Sequence, residues 1–250
     1  MDPHMTQVQQ TEMLRLITQS FCRELVNFGV PKTTLPTIAS EVLDFVMNGK
    51  ERPSLTSEHG PSPLELSEIA VKGLFKDQLE YGDVSIRPLA IDDIQVVAGW
   101  LKTTDVQRHF AVPFPTSEED LLEYFFNTPT HFYFAISFKD DFVGVIGGEQ
   151  IDEDLRRVEM KKFIGDSQHR GHGIGKTATF LWLHHIFDHR DFNKVFVYSM
   201  DTNLRNINLN NQLGFDLEGI LFEDARVNGA YCDVARMGLL RSRWNSLFHD

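Results

Sequence analysis

The chain has 250 residues, with 24 Lys and Arg against 36 Asp and Glu and a formal net charge of −12. This excess of acid argues against nucleic acid as a ligand, because phosphate binding needs a basic face, and it weakly favours a cationic substrate. With no apolar run of ~18–20 residues and no N-terminal signal peptide, the sequence predicts a cytoplasmic protein with no membrane partner. Its two cysteines, Cys22 and Cys232, indicate no disulfide framework.

Residues 1–80 are predicted to form a helical extension, of which residues 1–4 are interpreted as a vector remnant. Apolar side chains recur at helical spacing within residues 14–28 and 38–46, and a third helix is predicted over 64–75. Amphipathic stripes of this kind are usually core, which favours packing of the extension on the rest of the chain or on the partner subunit of a homodimer. A lid that selects the substrate is the alternative.

The remainder of the chain, residues 83–250, alternates between the periodicities of strands and helices. Strands are predicted at 83–88, 132–137, 142–150, 157–164, 194–200, 219–224 and 231–240. Helices are predicted at 91–102, 117–127, 174–189 and 203–213. Elements mixed in this order indicate an α/β or α+β fold, in which a sheet carries helices on both faces.

A glycine loop, residues 168–176, follows the predicted strand at 157–164 and opens the helix at 174–189. Glycine enters the φ > 0 region without a Cβ clash, so three glycines in five residues allow the backbone to curl tightly. Where such a curl opens a helix, successive N–H groups point at one place and the helix dipole adds positive charge. The loop is therefore predicted to cradle a phosphate group.

Three glycine-rich patterns compete for this loop. A P-loop is excluded because Arg170 stands where its first glycine belongs, and a dinucleotide fingerprint is excluded because Lys176 replaces its third glycine. The third pattern, Arg/Gln-x-x-Gly-x-Gly/Ala, is matched by Arg170, Gly173 and Gly175. A glycine-rich helix cap without a ligand is the remaining alternative.

Through this loop and three further segments, the chain resembles the GNAT superfamily of acyl-CoA-dependent N-acetyltransferases. Residues 84–93 resemble its opening strand and helix start, and the run from Asn203 to Gly219 resembles its Asn-x-Arg, Leu-Gly-Phe and Glu-Gly segments. Residues 227–240 resemble its closing hairpin. The resemblance covers about residues 83–245 and is nearest to the branch of ribosomal-protein N-terminal and spermidine acetyltransferases.

This resemblance implies a mixed, mostly antiparallel sheet flanked by helices, and transfer of an acetyl group from acetyl-CoA to a primary amine. The acceptor would be a small molecule or a protein N-terminus, and no metal would be needed. A noncatalytic acyl-CoA-binding module, with the extension as a docking platform, is the alternative. The resemblance places coenzyme A against a strand end, the glycine loop and the next helix start, at Phe163, Ile164, Arg170, Gly171, His172, Gly173, Ile174, Gly175, Lys176, Asn203 and Asn206.

Glu159 matches the glutamate that the family places as a base on the strand before the loop. An amine attacks only after its ammonium ion has lost a proton, and a carboxylate performs this task near neutrality only with a raised pKa. Glu149, late in the preceding strand, is the reserve candidate. The alternative for Glu159 is a structural pair with Lys161.

The position at which many family members carry a thiolate-protonating tyrosine is occupied by Asn210 in this chain. The source of that proton is therefore open between water and three tyrosines, Tyr133, Tyr198 and Tyr231. Histidines of the 174–189 helix have a spacing capable of metal binding, but no acidic residue completes a motif. Positions at the surface or the edge of the core are predicted for these histidines instead.

Overall fold

A nine-stranded mixed sheet forms the centre of the described molecule. The computed structural model describes residues 64–249, apart from 74–76, 108–109, 111, 201–202 and 228. The strands are β1 (Ala70–Lys72), β2 (Gln78–Tyr81), β3 (Val84–Pro88), β4 (Phe132–Phe138), β5 (Asp141–Asp152), β6 (Arg157–Ile164), β7 (Lys194–Met200), β8 (Asp216–Val227) and β9 (Ala230–Leu240). They lie in the order β1-β2-β3-β4-β5-β6-β7-β9-β8, and all neighbours are antiparallel except β6 and β7. The predicted mixed, mostly antiparallel sheet is confirmed.

Six helices accompany the described part of this sheet. They are α1 (Ile94–Leu101), α2 (Thr104–Gln107), α3 (Glu118–Leu122), α4 (Ile174–His184), α5 (Leu204–Gln212) and α6 (Arg241–Phe248). Helices α3 and α4 continue into π-helical turns at Glu123–Asn127 and His185–His189, and 3₁₀ turns lie at Leu66–Glu68, Ile91–Asp93 and Ser167–His169. Among these described helices, none has the length and apolar character needed to cross a membrane.

The sheet separates two apolar layers, as strand β6 shows. Val158 belongs to a core built with α4, whereas Phe163 belongs to a second core built with α1 and α3. Successive side chains of a strand point to opposite faces of its sheet. Lys162 therefore shares the α4 face with Val158, while Glu159 and Lys161 share the opposite face with Phe163.

Strands β6 and β7 separate along their length and open a gap in the sheet. Their parallel pairing extends from Arg157 to Glu159 on β6, although β6 stays paired to β5 as far as Ile164. Beyond Glu159, the β6 edge that faces β7 has no strand partner among the described residues. Backbone N–H and C=O groups along this edge can therefore bond to a ligand.

The helix predicted over residues 64–75 is wrong. Leu66–Glu68 forms a 3₁₀ turn, and β1 and β2 follow as antiparallel neighbours that extend the sheet upstream of β3. β2 places Leu79 in the core, where it is fully buried, and this long-range packing outweighs the helical spacing of the local sequence. The two helices predicted over 14–28 and 38–46 lie outside the described residues.

Leu79→Ala is expected to lower the free energy of unfolding by about 2–5 kcal/mol, because truncating a fully buried leucine leaves a cavity. Val71→Ala is the matched control on the neighbouring strand β1, where Val71 is 42% exposed, and it should change that free energy by less than about 0.5 kcal/mol. Urea unfolding of both full-length variants measures the difference. Equal effects of the two substitutions would contradict the placement of β2 in the core.

Candidate active site

The gap between β6 and β7 opens into a pocket of about 640 Å³. The pocket extends from buried carboxylates of β5 and β6 to the glycine loop at the start of α4. Its polar lining consists of Tyr124, His131, Glu149, Gln150, Glu159, Lys161, Lys162, His169, Arg170, Lys176, Tyr198, Asn203, Asn206 and Asp224. Every predicted site residue borders this pocket except His172, which is exposed and lies outside the lining.

The glycine loop has the geometry of an anion cradle. Gly171 and Gly173 have φ angles of 95° and 79°, a left-handed conformation that glycine adopts readily, and Gly173 is the N-cap of α4. The N–H groups of residues 171–175 have no acceptor within the described part of the chain. A Cβ added to Gly173 would meet no atom within 4 Å, so the loop faces open space at the positive end of the helix dipole. These features fit a phosphate group, which the predicted coenzyme A would supply.

Three polar residues predicted to bind coenzyme A also hold the walls of the pocket in place. The Arg170 guanidinium donates from Nε to the carbonyl oxygen of Ile164 at 3.0 Å, which ties the loop to the end of β6. Asn203 caps α5 by accepting from the backbone N–H of Asn206 at 3.3 Å. Asn206 Nδ2 in turn donates to Ser199 Oγ on β7 at 3.3 Å. Direct contact of these side chains with coenzyme A stays a prediction.

Two buried carboxylates oppose each other on β5 and β6, where Glu149 pairs with Glu159 in the strand register. The Glu149 carboxylate lies 3.0 Å from Lys161 Nζ and accepts hydrogen bonds from the hydroxyls of Tyr124 and Tyr133. Burial, together with the Glu149 charge, raises the pKa of both tyrosines well above the ordinary value. Three donors therefore already occupy the Glu149 carboxylate.

Glu159 has a different environment. Its side chain is almost completely buried, and its Oε2 accepts a hydrogen bond from Gln150 Nε2 at 2.5 Å. Burial raises the pKa of Glu159 to about 7, while the Lys161 charge lowers it and the Glu149 charge raises it to a smaller degree. A carboxylate that titrates near neutrality is suited to take a proton from an alkylammonium ion. The geometry therefore favours Glu159 over Glu149 as the base, and that role stays a prediction.

Lys162 is an amine on the opposite face of β6 that sequence reasoning missed as a functional residue. Its Nζ donates to Asn210 Oδ1 at 3.1 Å, and burial lowers the pKa of Lys162 to about 7. Asn210 is fully buried on α5, and its Nδ2 has no partner among the residues that the structure describes. Two adjacent lysines within a buried strand, Lys161 and Lys162, are the sequence signal that could have revealed both.

Of the three tyrosines considered as proton donors, Tyr198 alone borders the pocket. Tyr133 is buried against Glu149, as described above. Tyr231 is 63% exposed on the β8–β9 hairpin, where it lies against the guanidinium of Arg226. Tyr198 is half-buried and packs beside Arg236 of β9. It is therefore the one tyrosine of the three that stays a candidate.

His184, at the end of α4, belongs to a hydrogen-bond network that joins this helix to α6. His184 Nδ1 lies 2.6 Å from Asp188 Oδ2, which also accepts from Trp244 Nε1 at 3.1 Å. The other Asp188 oxygen lies 3.0 Å from His249 Nε2. Within the described ranges, no group of three His, Cys, Asp or Glu side chains is arranged to hold a metal ion.

The motifs and the fold agree with the family to which the chain is matched. Residues 83–216, more than half of the 250-residue chain, match the family described as acetyltransferase (GNAT) domain. The chain belongs to the GNAT acetyltransferase family. It is an N-acetyltransferase, which transfers an acetyl group from acetyl-CoA to a primary amine. The function predicted from the loop and strand motifs is confirmed at this level.

Similar proteins share this fold. The chain is 24% identical over 164 residues to the spermidine N(1)-acetyltransferase of Escherichia coli (strain K12), a match that covers 64% of this chain and 88% of that protein. A crystal structure of spermidine N-acetyltransferase from Vibrio cholerae in complex with CoA and spermine has a TM-score of 0.61 at 22% identity, over 65% of this chain and 98% of that one. A dodecameric structure of the Vibrio cholerae enzyme has a TM-score of 0.58 at 22% identity, over 65% and 96% of the two chains.

Proposed function

We propose that the chain acetylates a small aliphatic polyamine of the spermidine class, with Glu159 as the base. The observation that carries this proposal is the buried carboxylate pair, Glu149 and Glu159, in the part of the pocket away from the glycine loop. Asp224 adds a third carboxylate to the pocket, whose lining also holds four Lys and Arg side chains, so the local carboxylates rather than the net charge of the lining favour a polycation. The net charge of −12 and the spermidine acetyltransferases among similar proteins support the same class of acceptor.

In the proposed mechanism, Glu159 takes the ammonium proton of the acceptor. An alkylammonium ion has an ordinary pKa near that of lysine, about 10.4, so little free amine is present at neutral pH. With its pKa raised to about 7, Glu159 is a stronger base than an ordinary carboxylate and is still about half ionised at neutral pH. Glu149 lies on the neighbouring strand, held between Lys161 and two tyrosine hydroxyls.

The acetyl donor is proposed to bind along the free edge of β6 and at the glycine loop. The N–H groups of residues 171–175 and the Lys176 ammonium would hold its pyrophosphate. The backbone of Phe163 and Ile164 would hold its pantetheine arm, because that edge of β6 has no strand partner among the described residues. Acetyl-CoA supplies the thioester carbonyl carbon that the amine attacks.

Association with a second copy of the chain belongs to the same proposal. Phe222 and Tyr231 expose large side chains on the β8–β9 hairpin at one edge of the sheet, 57% and 63% exposed. An apolar surface at a sheet edge is favourable for self-association. The dodecameric structure among the similar proteins supports a homodimer or a larger assembly.

An amine series tests the acceptor class, with thiol release from acetyl-CoA as the measured rate. We expect kcat/KM to rise from a monoamine through a diamine to spermidine, by about twofold to fivefold for each added ammonium group, the effect of a solvent-exposed ion pair. Added salt should reduce this increase, because it screens exposed charges. A peptide with a free N-terminus that is acetylated faster than spermidine would contradict the proposal.

Asp224→Asn is the matched variant in that series, because it removes one carboxylate that borders the pocket. It should raise KM for spermidine by about twofold to fivefold and leave the rate with a monoamine nearly unchanged. Asp140→Asn makes the same charge change on the exposed β4–β5 turn, outside the pocket lining, and is the control. Equal effects of the two variants would show that only the overall charge matters.

A further inference from the structure

The proposed function leaves one requirement of the reaction without a group to meet it. As sulfur departs from the acetyl carbon it gains negative charge, and an alkyl thiol of the cysteine type has a pKa of about 8.5. Such a charge is costly in a pocket shielded from water unless a proton or a cation meets it. The neutral amide of Asn210 supplies neither, so the proton comes from another group of the pocket or from water.

Most proton donors that border the pocket already have a partner or a proposed ligand. Lys161 is paired with Glu149 at 3.0 Å, and the Tyr124 hydroxyl donates to the same carboxylate. Arg170 and Lys176 belong to the glycine loop, where a phosphate is the proposed ligand. Lys162 differs from all of these, because its only hydrogen-bond acceptor in the described structure is a neutral amide oxygen.

Lys162 lies between the two functional parts of the pocket. It follows Glu159 by three residues on β6 and precedes the glycine loop, and it borders the gap between β6 and β7. Because the side chains of β6 alternate, Lys162 and Glu159 project from opposite faces of the strand. At this gap, one face of the sheet therefore carries a proton acceptor, Glu159, and the other face carries a proton donor, Lys162.

We infer that the Lys162 ammonium is the acid that protonates the departing sulfur of coenzyme A. This inference rests on the proposed function, because it requires the coenzyme to lie in the gap between β6 and β7. Asn210 Oδ1 accepts one N–H of Lys162 at 3.1 Å and orients the amine. The remaining N–H bonds of Lys162 have no acceptor among the described residues and can reach the pocket.

The proton transfer is favourable in direction. Burial alone lowers the pKa of Lys162 to about 7, below the ordinary thiol value of about 8.5, so the proton moves from nitrogen to sulfur. No charged group contributes to this shift. Other charged and titratable groups border the same pocket, both on the strand of Lys162 and on neighbouring elements. They include Glu159, Lys161, His169, Arg170, Lys176 and Asp224.

The bonds and protons of this step balance. A bond forms between the acceptor nitrogen and the acetyl carbon, the bond from that carbon to sulfur breaks, and its electron pair stays on sulfur. The acceptor enters as an ammonium ion with three protons on nitrogen and leaves as an amide with one. Glu159 takes both protons in turn and passes each to solvent, while Lys162 gives one proton to sulfur and regains one from solvent. One proton is released overall.

The test follows the bound sulfur rather than turnover. Coenzyme A bound to the full-length protein is titrated by the ultraviolet absorbance of its thiolate, with the complex of desulfo-coenzyme A as the blank. In the wild type, the thiol pKa of bound coenzyme A should lie about one unit or more below that of free coenzyme A. The two sites titrate as a pair, in which the ammonium stabilises the thiolate and the thiolate in turn keeps Lys162 protonated. Lys162→Met keeps the length of the side chain without its charge, and should return the thiol pKa to the free value or above.

Three further variants distinguish this role from others. Lys161→Met removes the adjacent lysine on the opposite face and should leave the bound thiol pKa low, and Tyr198→Phe should do the same. Lys162→Arg keeps a cation that does not release its proton, so it should keep the low thiol pKa while kcat falls. Unchanged affinity for desulfo-coenzyme A shows that each variant retains a folded pocket.

An unchanged thiol pKa in Lys162→Met overturns the inference even if turnover falls, because a structural role would then explain the loss. The inference is also overturned if Tyr198→Phe raises the thiol pKa and Lys162→Met does not. If Lys162→Met fails to fold, the measurement on the wild type tests the inference by itself. A thiol pKa of bound coenzyme A at or above that of free coenzyme A would then overturn it. If the wild type binds neither coenzyme A nor its desulfo analogue, the pocket assignment of the proposed function fails, and the inference with it.

Discussion

Glu159→Gln is expected to lower kcat at neutral pH by ~10²–10⁴-fold while the affinity for coenzyme A stays at the wild-type value. Glutamine keeps the size of the side chain and its hydrogen-bonding oxygen, but it cannot take a proton from the acceptor. The loss should shrink as the pH rises, because more of the acceptor amine is then already deprotonated. Initial rates with spermidine across the pH range, together with calorimetric titration of coenzyme A, measure both quantities.

The same substitution should also stabilise the protein at alkaline pH. The folded-state pKa of Glu159, about 7, lies above the ordinary glutamate value, so the folded protein holds a proton that the unfolded chain has lost. The stability that this proton contributes is fully present below the ordinary pKa and is lost as the pH rises through about 7. Glu159→Gln removes this loss, so its Tm should exceed that of the wild type above pH 7 and approach it at acidic pH.

Glu149→Gln is the matched comparison, because it changes the opposing carboxylate of the same strand pair. It removes the charge that Lys161 and two tyrosine hydroxyls stabilise, and should therefore lower Tm rather than raise it. Of the two variants, only Glu159→Gln is expected to combine a loss of activity with a raised Tm above pH 7. Full activity of Glu159→Gln at neutral pH would indicate that water or Glu149, and not Glu159, accepts the proton of the amine.

The glycine loop could be predicted because its chemistry is local. Left-handed φ angles at Gly171 and Gly173 favour glycine, and the start of the following helix can be predicted from the next few residues. The strands of residues 83–250 were predictable for a similar reason, since their alternation is visible within each strand. The match of Glu159 to a family position also needed only its place on the strand before the loop.

Features that depend on distant partners could not be predicted in this way. The β1–β2 pair forms because Leu79 packs into the core, and α6 forms around Trp244, which packs against Phe180 and Phe187 with ring centroids 5.6 Å away in each case. Their own sequences carry little periodic signal of the right kind. The contact of Lys162 with Asn210 joins positions 48 residues apart, so no spacing rule could reveal it.

Gly173→Val is expected to weaken binding of coenzyme A by at least about 10²-fold. A valine at a φ of 79° is strained by roughly 1–2 kcal/mol, and relief of that strain would turn the neighbouring N–H groups away from a bound phosphate. Its side chain would also occupy the open space in front of the loop, where a Cβ meets no atom within 4 Å. Calorimetric titration of the folded, full-length variant with coenzyme A measures the loss.

Gly229→Val separates loss of the cradle from backbone strain. Gly229 has a φ of 86° and equally open space around its Cβ position, but it lies in the β8–β9 hairpin turn and outside the pocket lining. The two variants should therefore lose similar amounts of stability, since both place a β-branched residue in the left-handed region. Only Gly173→Val should lose affinity for coenzyme A, because only Gly173 stands at the N-terminus of α4, where free N–H groups and the helix dipole converge. Wild-type affinity for coenzyme A in Gly173→Val, or an equal loss of affinity in both variants, would contradict the assignment of the phosphate site to this loop.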